Sequence, residues 1–486
     1  MSHTDPTWSG AWVTERLGVR LVDATGSDAS ADTPRLADLA GLAVRRNPRR
    51  AHLIVSEVLG KHIPVDPRVV YTAGWLLGRR VAELLGAKLA DTDTRPGSLP
   101  GIGPDRAPAP GTGIPPAGVA HLPEPPLVFG YAETATALGH VVADVFAGAD
   151  YLHSTRRPVP GVPLLGRFDE THSHATEHLL LPADPGWLDR PGPLLLVDDE
   201  LSTGRTAAAT IRALHAVRPR AHYVVAALLD LRTSPDRRVL AELGAELGAR
   251  VDVVSLGTGE VALPDDVLER GRALVAAVDG GQPATDPHPP AGTAPATRPA
   301  PSDVSRVDAD WPADLPEGGR HGFAAHHRPA LADAVSRLAD RVAAGLPDDA
   351  RILVLGTEEL MYAPLALACR LAQTRRGPVR FSSTTRSPVL AVDEPGYAIR
   401  TTLVFPPHDH EIDGVRFVYN VAPPRAAEPF DRIVLVVDRT ADTERLWQDG
   451  GLVPTLRAVS GGVTVAVVPD LVPAVAAPPA GREEPR

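Results

Sequence analysis

The sequence predicts an α/β protein: a doubly wound, mainly parallel sheet, followed by a second α/β domain that looks like a degenerate duplicate of the first. Three observations predict it. Short continuous apolar runs alternate with helix-length segments, the pattern of parallel strands covered on both faces by crossover helices. A stretch rich in Pro, Ala and Gly separates two such series. The 486 residues also exceed what one hydrophobic core organises.

In chain order, residues 1–34 read as an N-terminal extension and residues 35–280 as the first domain. Its strands are "AHLIVSEVL", "PLVFGY", "YLHST", "PLLLVDD", "HYVVAALLD" and "RVDVVSLG". The apolar spacing of "VVYTAGWLLGRRVAELLGAKLA" gives an amphipathic helix, and the Pro/Gly-rich residues 91–126 after it form an inserted loop. Residues 281–316 read as the linker, 317–475 as the second domain and 476–486 as a disordered tail. The second domain's strands are "RILVLG", "VRFSST", "RFVYNV", "DRIVLVVD" and "GVTVAVVP".

The two series share more than a rhythm. Gly130 and Glu133 align with Gly356 and Glu359, and "STRRPV" aligns with "TTRSPV" after a four-residue insertion. "GKH" at Gly60 pairs with "GRH" at Gly319, and "LLLVDDELSTGR" pairs more weakly with "VLVVDRTADTER".

Composition narrows the function. The single cysteine, Cys369, allows no internal disulfide or thiolate metal cluster and fits a reducing, cytoplasmic setting. No apolar run approaches the about 20 residues that cross a bilayer, so no membrane partner is expected. A net charge of −11 works against binding a nucleic acid. Of 49 basic residues only Lys61 and Lys88 are lysines, so a lysine in this chain is informative.

The stretch with most chemistry is "PLLLVDDELSTGRTAAATIRAL". A buried strand is expected to end at the acids, with a helix beginning at "TAAAT". That places "DDELSTG" at the carboxyl edge of a parallel sheet, where open α/β sheets bind ligands. Ser202, Thr203, Gly204, Arg205 and Thr206 supply backbone N–H groups and small hydroxyls at a helix start, which suits a phosphate. Asp198 and Asp199 would repel that phosphate and must face sugar hydroxyls or a divalent cation. A phosphate-binding P-loop would need Gly-Lys-Ser/Thr, which is absent. A response-regulator receiver would need a downstream lysine, and none follows Lys88. A plain helix cap with solvated acids leaves the small polar loop without a role.

Acid-acid-x-x-Ser-Thr-Gly-x-Thr after a buried strand resembles the loop of type I phosphoribosyltransferases that binds phosphoribosyl pyrophosphate. The resemblance places Asp198 and Asp199 on the ribose hydroxyls and magnesium, and residues 202–206 around the 5′-phosphate. Glu200 and Arg205 depart from the commonest pattern. An earlier strand-loop-helix, Gly130, Tyr131, Ala132, Glu133, Thr134, Ala135 and Thr136, would hold the pyrophosphate. Lys61, His62, Arg156 and Arg157 become candidate catalytic or pyrophosphate contacts; the alternative for Lys61 is a solvated turn. Glu170, His172 and His174 are candidates for base recognition or a catalytic loop, with a transition-metal site including His178 and simple structural histidines as the other readings.

Taken together, "NPRRAHLIVSEVLGKHIPV", "GYAETATALGH", "THSHATEH", "VDDELSTG", "LGTEELMYAPL" and "TTRSPV" resemble one family, an orotate-like phosphoribosyltransferase domain fused to a C-terminal TRSP domain. That domain is named for the residues that stand here as Thr385, Arg386, Ser387 and Pro388. The resemblance implies a magnesium-dependent enzyme that joins a nucleobase-like acceptor to phosphoribosyl pyrophosphate, in bacterial gene clusters associated with tellurite resistance and stress. The alternatives are a sensor that binds the same ligand without turnover, and a metal-dependent hydrolase using His172, His174 and His178. In the second domain Asp438 aligns with Asp198, but Arg439 replaces Asp199 and Glu444 replaces Gly204. This half is therefore not expected to bind the same ligand in the same way. Glu358, Glu359, Thr385, Arg386 and Ser387 line a second pocket, cover the first, or are structural. A homodimer is compatible with the pattern, and the base-recognising hood is expected from the first 50 residues and the histidine segment.

Overall fold

The computed structural model describes residues 8–24, 34–47, 49–90, 113–169, 177–280, 303–408, 414–424, 427–471 and 473. The first sheet has six strands in the order Arg20–Asp23, Arg250–Ala262, His222–Asp230, Leu194–Leu201, Leu127–Gly130 and Asp150–His153. All neighbours are parallel except the Arg20–Asp23 edge. The segment before residue 35 is thus partly built into the domain: it supplies this edge strand and the helix Ala11–Leu17, which buries Trp12, Val13 and Leu17.

The second sheet has five parallel strands in the order Asp303–Asp308, Gly462–Val468, Arg432–Asp438, Ile352–Gly356 and Val379–Ser383. Residues 303–308 were expected in the linker and instead pair along the whole edge of Gly462–Val468. Their polar face toward solvent, "DVSRVD", hides the strand from a search for continuous apolar runs. The two sheets have the same internal order. In each, the strand ending in the motif aspartate lies between the glycine-loop strand and a later parallel strand.

Two of the expected strands lie outside these sheets. His52–Ser56 pairs antiparallel with Ala40–Val44, and Arg416–Tyr419 pairs antiparallel with Thr402–Phe405. Short strands Lys88–Leu89 and Ala120–His121 pair across the Pro/Gly-rich insertion, keeping its ends within the first domain. The amphipathic helix appears as Pro67–Leu84, capped by Asp66, whose side chain accepts from the Arg68 N–H.

The two halves share one continuous apolar core, in which Val65, Trp12 and Val44 of the first half join Phe381, Leu390 and Tyr397 of the second. Contacts across it are reciprocal. Val65, beyond "GKH", exchanges backbone hydrogen bonds of 3.0 and 2.8 Å with Phe381 on the second sheet's edge strand. Phe323, beyond "GRH", exchanges bonds of 2.7 and 2.8 Å with Tyr151 on the first sheet's edge strand. Each half covers the edge the other would leave exposed. Asp144 ties the helices together: it accepts from Tyr71 at 3.1 Å, Arg328 at 2.9 Å and the Tyr362 hydroxyl.

Candidate active site

The strand that carries the acids runs on through them to Leu201, two residues past the expected end at Asp199. Asp198 and Glu200 keep register with Ala227 and Leu229 on the neighbouring strand. The chain then turns through Ser202, Thr203 and Gly204, and Gly204 takes φ 74° before the helix Arg205–Val217. This left-handed conformation favours glycine and directs the loop back over the helix start. Among the described residues the backbone N–H groups of Ser202, Thr203 and Gly204 meet no protein acceptor, and that of Arg205 meets only Thr203 Oγ1 at 3.4 Å. Four donors at a helix N-terminus form an anion cradle. Ser202 and Arg205 are exposed, and Thr203 and Thr206 half-buried.

The aspartates sit half-buried just upstream. Asp198 Oδ1 accepts the Asp199 N–H at 2.9 Å, which fixes its carboxylate. Burial and the adjacent Glu200 push the Asp199 carboxyl up to about 6. Glu200, the acid without a role in the sequence, accepts from Arg50 at 2.9 Å. Burial alone would raise the Glu200 carboxyl, but Arg50 holds it below its usual range. It is a tether between the acid strand and the connection joining Ala40–Val44 to His52–Ser56.

The glycine loop lies one strand away. Gly130 packs so closely on Tyr151 that an added Cβ would come within 2.4 Å of the phenol oxygen. Its N–H groups divide: Tyr131 donates to Val197 at 3.3 Å and Ala132 to Ser154 Oγ at 3.0 Å. Those of Glu133 and Thr134 find no acceptor among the described residues. The Ala132–Glu133 peptide bond is cis. Thr136 Oγ1 closes the loop on Glu133 O at 3.1 Å and begins the helix Thr136–Val145. Lys61 donates to Thr134 Oγ1 at 2.8 Å and stands 3.8 Å from the Glu133 carboxylate. The rare lysine is thus on the glycine loop, in a field that also reaches Asp199.

Other candidates separate. Arg156 stays near: its N–H donates to Glu359 at 2.7 Å, and its guanidinium stands 3.4 Å from His178 Nε2. Arg157 donates to Asp438 in the second half at 3.0 Å. His62 is buried against Tyr419, 5.7 Å between ring centres, and its Nε2 has no hydrogen bond. Burial holds it well below the usual histidine range, as a neutral ring packed in the core. Glu170, His172 and His174 lie outside the described residues. His178, on Glu177–Leu180, stacks on Phe168 and bonds Ser154 Oγ at 2.8 Å.

The TRSP residues divide between the halves. Glu359 accepts from Thr155 Oγ1 at 2.7 Å and faces Arg320 at 3.4 Å. Burial would raise it, yet Arg320 and His153 hold it down at about 2. Arg386 donates to Glu358 Oε2 at 2.7 Å and stands 3.0 Å from Glu133 Oε1. Glu358, at φ 49°, also accepts from Arg416 at 2.5 Å. Thr385 bonds the Phe417 backbone and accepts the Ser387 N–H, and the Ser387 carbonyl accepts from Tyr419. Sequence reading missed Arg50, and also Asp230, which binds the buried Arg232 through two bonds of 2.9 Å at the next strand's carboxyl end.

Comparison with known proteins agrees with this architecture. A family model described as phosphoribosyl transferase matches residues 39–260, and one described as the TRSP domain C-terminal to it matches residues 317–456. Similar solved structures include the adenine phosphoribosyltransferase of Giardia lamblia complexed with 9-deazaadenine, at 18% identity over 27% of this chain and 70% of that one, TM-score 0.20. The enzyme from Rhodothermus marinus matches at 22% identity over 27% and 69% of the two chains, TM-score 0.20. That from Trypanosoma brucei, in complex with AMP, pyrophosphate and ribose-5-phosphate, matches at 14% over 35% and 65%, TM-score 0.21. A search of curated proteins finds no match. With both family models in order and together spanning most of the sequence, the chain belongs to the phosphoribosyl transferase family that carries a C-terminal TRSP domain.

Proposed function

We propose that the chain transfers the phosphoribosyl group of phosphoribosyl pyrophosphate to a nitrogenous, nucleobase-like acceptor, with magnesium and release of pyrophosphate. The observation that carries this reading is one ledge bearing two anion cradles, residues 202–205 and residues 133–134, with Asp198 and Asp199 between them. A ligand that is anionic at both ends and hydroxylated in the middle would answer both cradles and the acids.

In the reaction the bond from the ribose anomeric carbon to the pyrophosphate oxygen breaks as the bond to the acceptor nitrogen forms. No protein nucleophile is required, because holding the partners and stabilising charge supply the acceleration. The loop 202–206 holds the 5′-phosphate, and Asp198 and Asp199 accept from the ribose hydroxyls. Lys61 and the N–H groups of Glu133 and Thr134 face the charge that gathers on the leaving pyrophosphate. Magnesium needs only one or two carboxylates besides ligand oxygens and water, which Asp198 and Asp199 satisfy. When bound it would screen the pyrophosphate and ease its departure.

Calorimetry with phosphoribosyl pyrophosphate and magnesium tests the reading. Binding by the wild type and loss in Asp198→Asn/Asp199→Asn is expected; equal affinity overturns it. Pyrophosphate release over a panel of bases separates turnover from sensing. The hydrolase reading rests on His172, His174 and His178; the first two lie outside the described residues, and His178 is engaged by Ser154 Oγ and Phe168. A place in a stress- or tellurite-associated pathway rests on the family resemblance alone.

A further inference from the structure

We propose that the TRSP half acts as an internal second subunit, and that its Arg386 is a positioning residue of the transferase site, working through Glu133. The inference rests on the functional reading above. The reciprocal contacts are those of a two-fold interface, where residue i meets j and j meets i. Glu133 is met by the cation of its own half's "GKH", Lys61, and by Arg386 from the other half's "TTRS". Its counterpart Glu359 is met by the cation of its own half's "GRH", Arg320, and by Thr155 and the Arg156 N–H from the other half's "STRR". The loop anchors repeat too. Ser154 Oγ takes the N–H of Ala132 at 3.0 Å, and Thr384 Oγ1 takes that of Glu358 at 3.1 Å.

Only one of these exchanges touches the open site. A carboxylate in a pyrophosphate cradle repels its ligand unless it is held and neutralised. Glu133 is buried and has two cations within 3.8 Å, one from each half. Arg386 itself is braced: Glu358, which it binds, is gripped from behind by the buried Arg416. Without Arg386, Glu133 is answered by Lys61 and, more weakly, by Arg156. Lys61 is then drawn from the ligand and Glu133 is freed to swing into the cradle.

The test is a double-mutant cycle on the full chain, read by calorimetry with phosphoribosyl pyrophosphate and magnesium and by the KM and kcat of pyrophosphate release. Arg386→Ala should raise Kd and KM about tenfold or more, and Arg386→Lys should stay within about threefold of wild type. In a Glu133→Gln background, Arg386→Ala should change Kd by less than about threefold, because the carboxylate it manages is gone. An equal loss in both backgrounds, or none in the wild-type background, overturns the inference while leaving the functional reading intact. A wild type that binds no phosphoribosyl pyrophosphate overturns both. If Arg386→Ala does not melt cooperatively, Arg386→Gln is put through the same cycle with the same two outcomes.

Discussion

The two halves share the order of four strands and the same loop-anchoring hydrogen bonds, yet one keeps an open ledge and the other has closed over its own. At Asp198 the chain continues into Asp199 and a glycine-bearing loop whose N–H groups are uncommitted. At Asp438 it continues into Arg439 and a short 3-10 turn. There Asp438 Oδ1 takes the Ala441 N–H at 2.9 Å, and Asp470 takes the N–H and hydroxyl of Thr440. Arg157 and Arg320 then stand at 3.0 and 3.5 Å from Asp438. What remains beside Glu317, Arg320 and Glu359 is a cavity of about 10 Å³, room for about one water. The scaffold is thus indifferent to whether the site is open. A few loop residues and two arginines distinguish the halves.

The sharpest way to break this contrast is to remove the acids from each half in turn. Asp198→Asn/Asp199→Asn should weaken phosphoribosyl pyrophosphate binding by about a hundredfold or more, as expected when charge-assisted contacts and a metal ligand are lost together. Asp438→Asn should leave affinity and a stoichiometry of one per chain unchanged. A second binding event in the wild type, abolished by Asp438→Asn, would end the distinction between the halves.

The closed half should show its cost in stability. Arg320 is buried and faces Glu317 at 3.5 Å, Glu359 at 3.4 Å and Asp438 at 3.5 Å. Arg320→Ala removes the cation shared by three buried carboxylates and should destabilise the chain by about 3–5 kcal/mol in denaturant unfolding. Arg205→Ala, exposed on the open ledge, should change stability by less than about 0.5 kcal/mol. Acid should act on the halves differently as well. Glu359 is held at about 2, so its contribution is full above the ordinary glutamate value and is lost as pH falls from there toward 2. Asp199 titrates near 6, so magnesium-dependent ligand binding should be lost far earlier, falling about tenfold per pH unit below 6 while the fold persists. Calorimetry from pH 7.5 to 5 beside circular dichroism separates the two; a flat affinity profile would contradict the placement of Asp199.

Much of this was legible in the chain because its signals are local. A strand, two acids, a small polar loop and a helix lie within "LLLVDDELSTGR", and the lysine at position 61 stands out against an arginine-rich background. The failures share a physical cause. Arg156 and Arg157, like Lys61 and His62, are neighbours in sequence and look equivalent there. In a bent, non-helical segment adjacent side chains leave the backbone in different directions, so Lys61 meets Thr134 while His62 packs on Tyr419, and Arg156 meets His178 while Arg157 meets Asp438. Partnerships such as Arg386 with Glu133 join residues hundreds apart, and nothing in a single sequence fixes them. The Asp303–Asp308 strand was missed because an edge strand with a solvated face lacks the apolar run that marks central strands.

The smallest expected effect concerns the acid that both halves' motifs leave unmatched. Glu200 has its partner Arg50 in a connection 150 residues earlier, and their side chains are 17% and 30% exposed. A pair so placed is partly screened, so Arg50→Ala should cost about 0.5–1 kcal/mol at low salt and less at high salt. Its use is better read in the site. With Arg50 gone the Glu200 charge is less compensated beside Asp199, which should push the Asp199 carboxyl higher still and move the acid limb of ligand binding up in pH. Glu200→Gln should move it down, because the neighbouring charge that raises Asp199 is removed. Opposite shifts of the binding midpoint in the two variants, at nearly unchanged melting temperature, would establish Glu200 as the residue that sets when the open ledge is charged. Shifts in the same direction would reduce it to a tether.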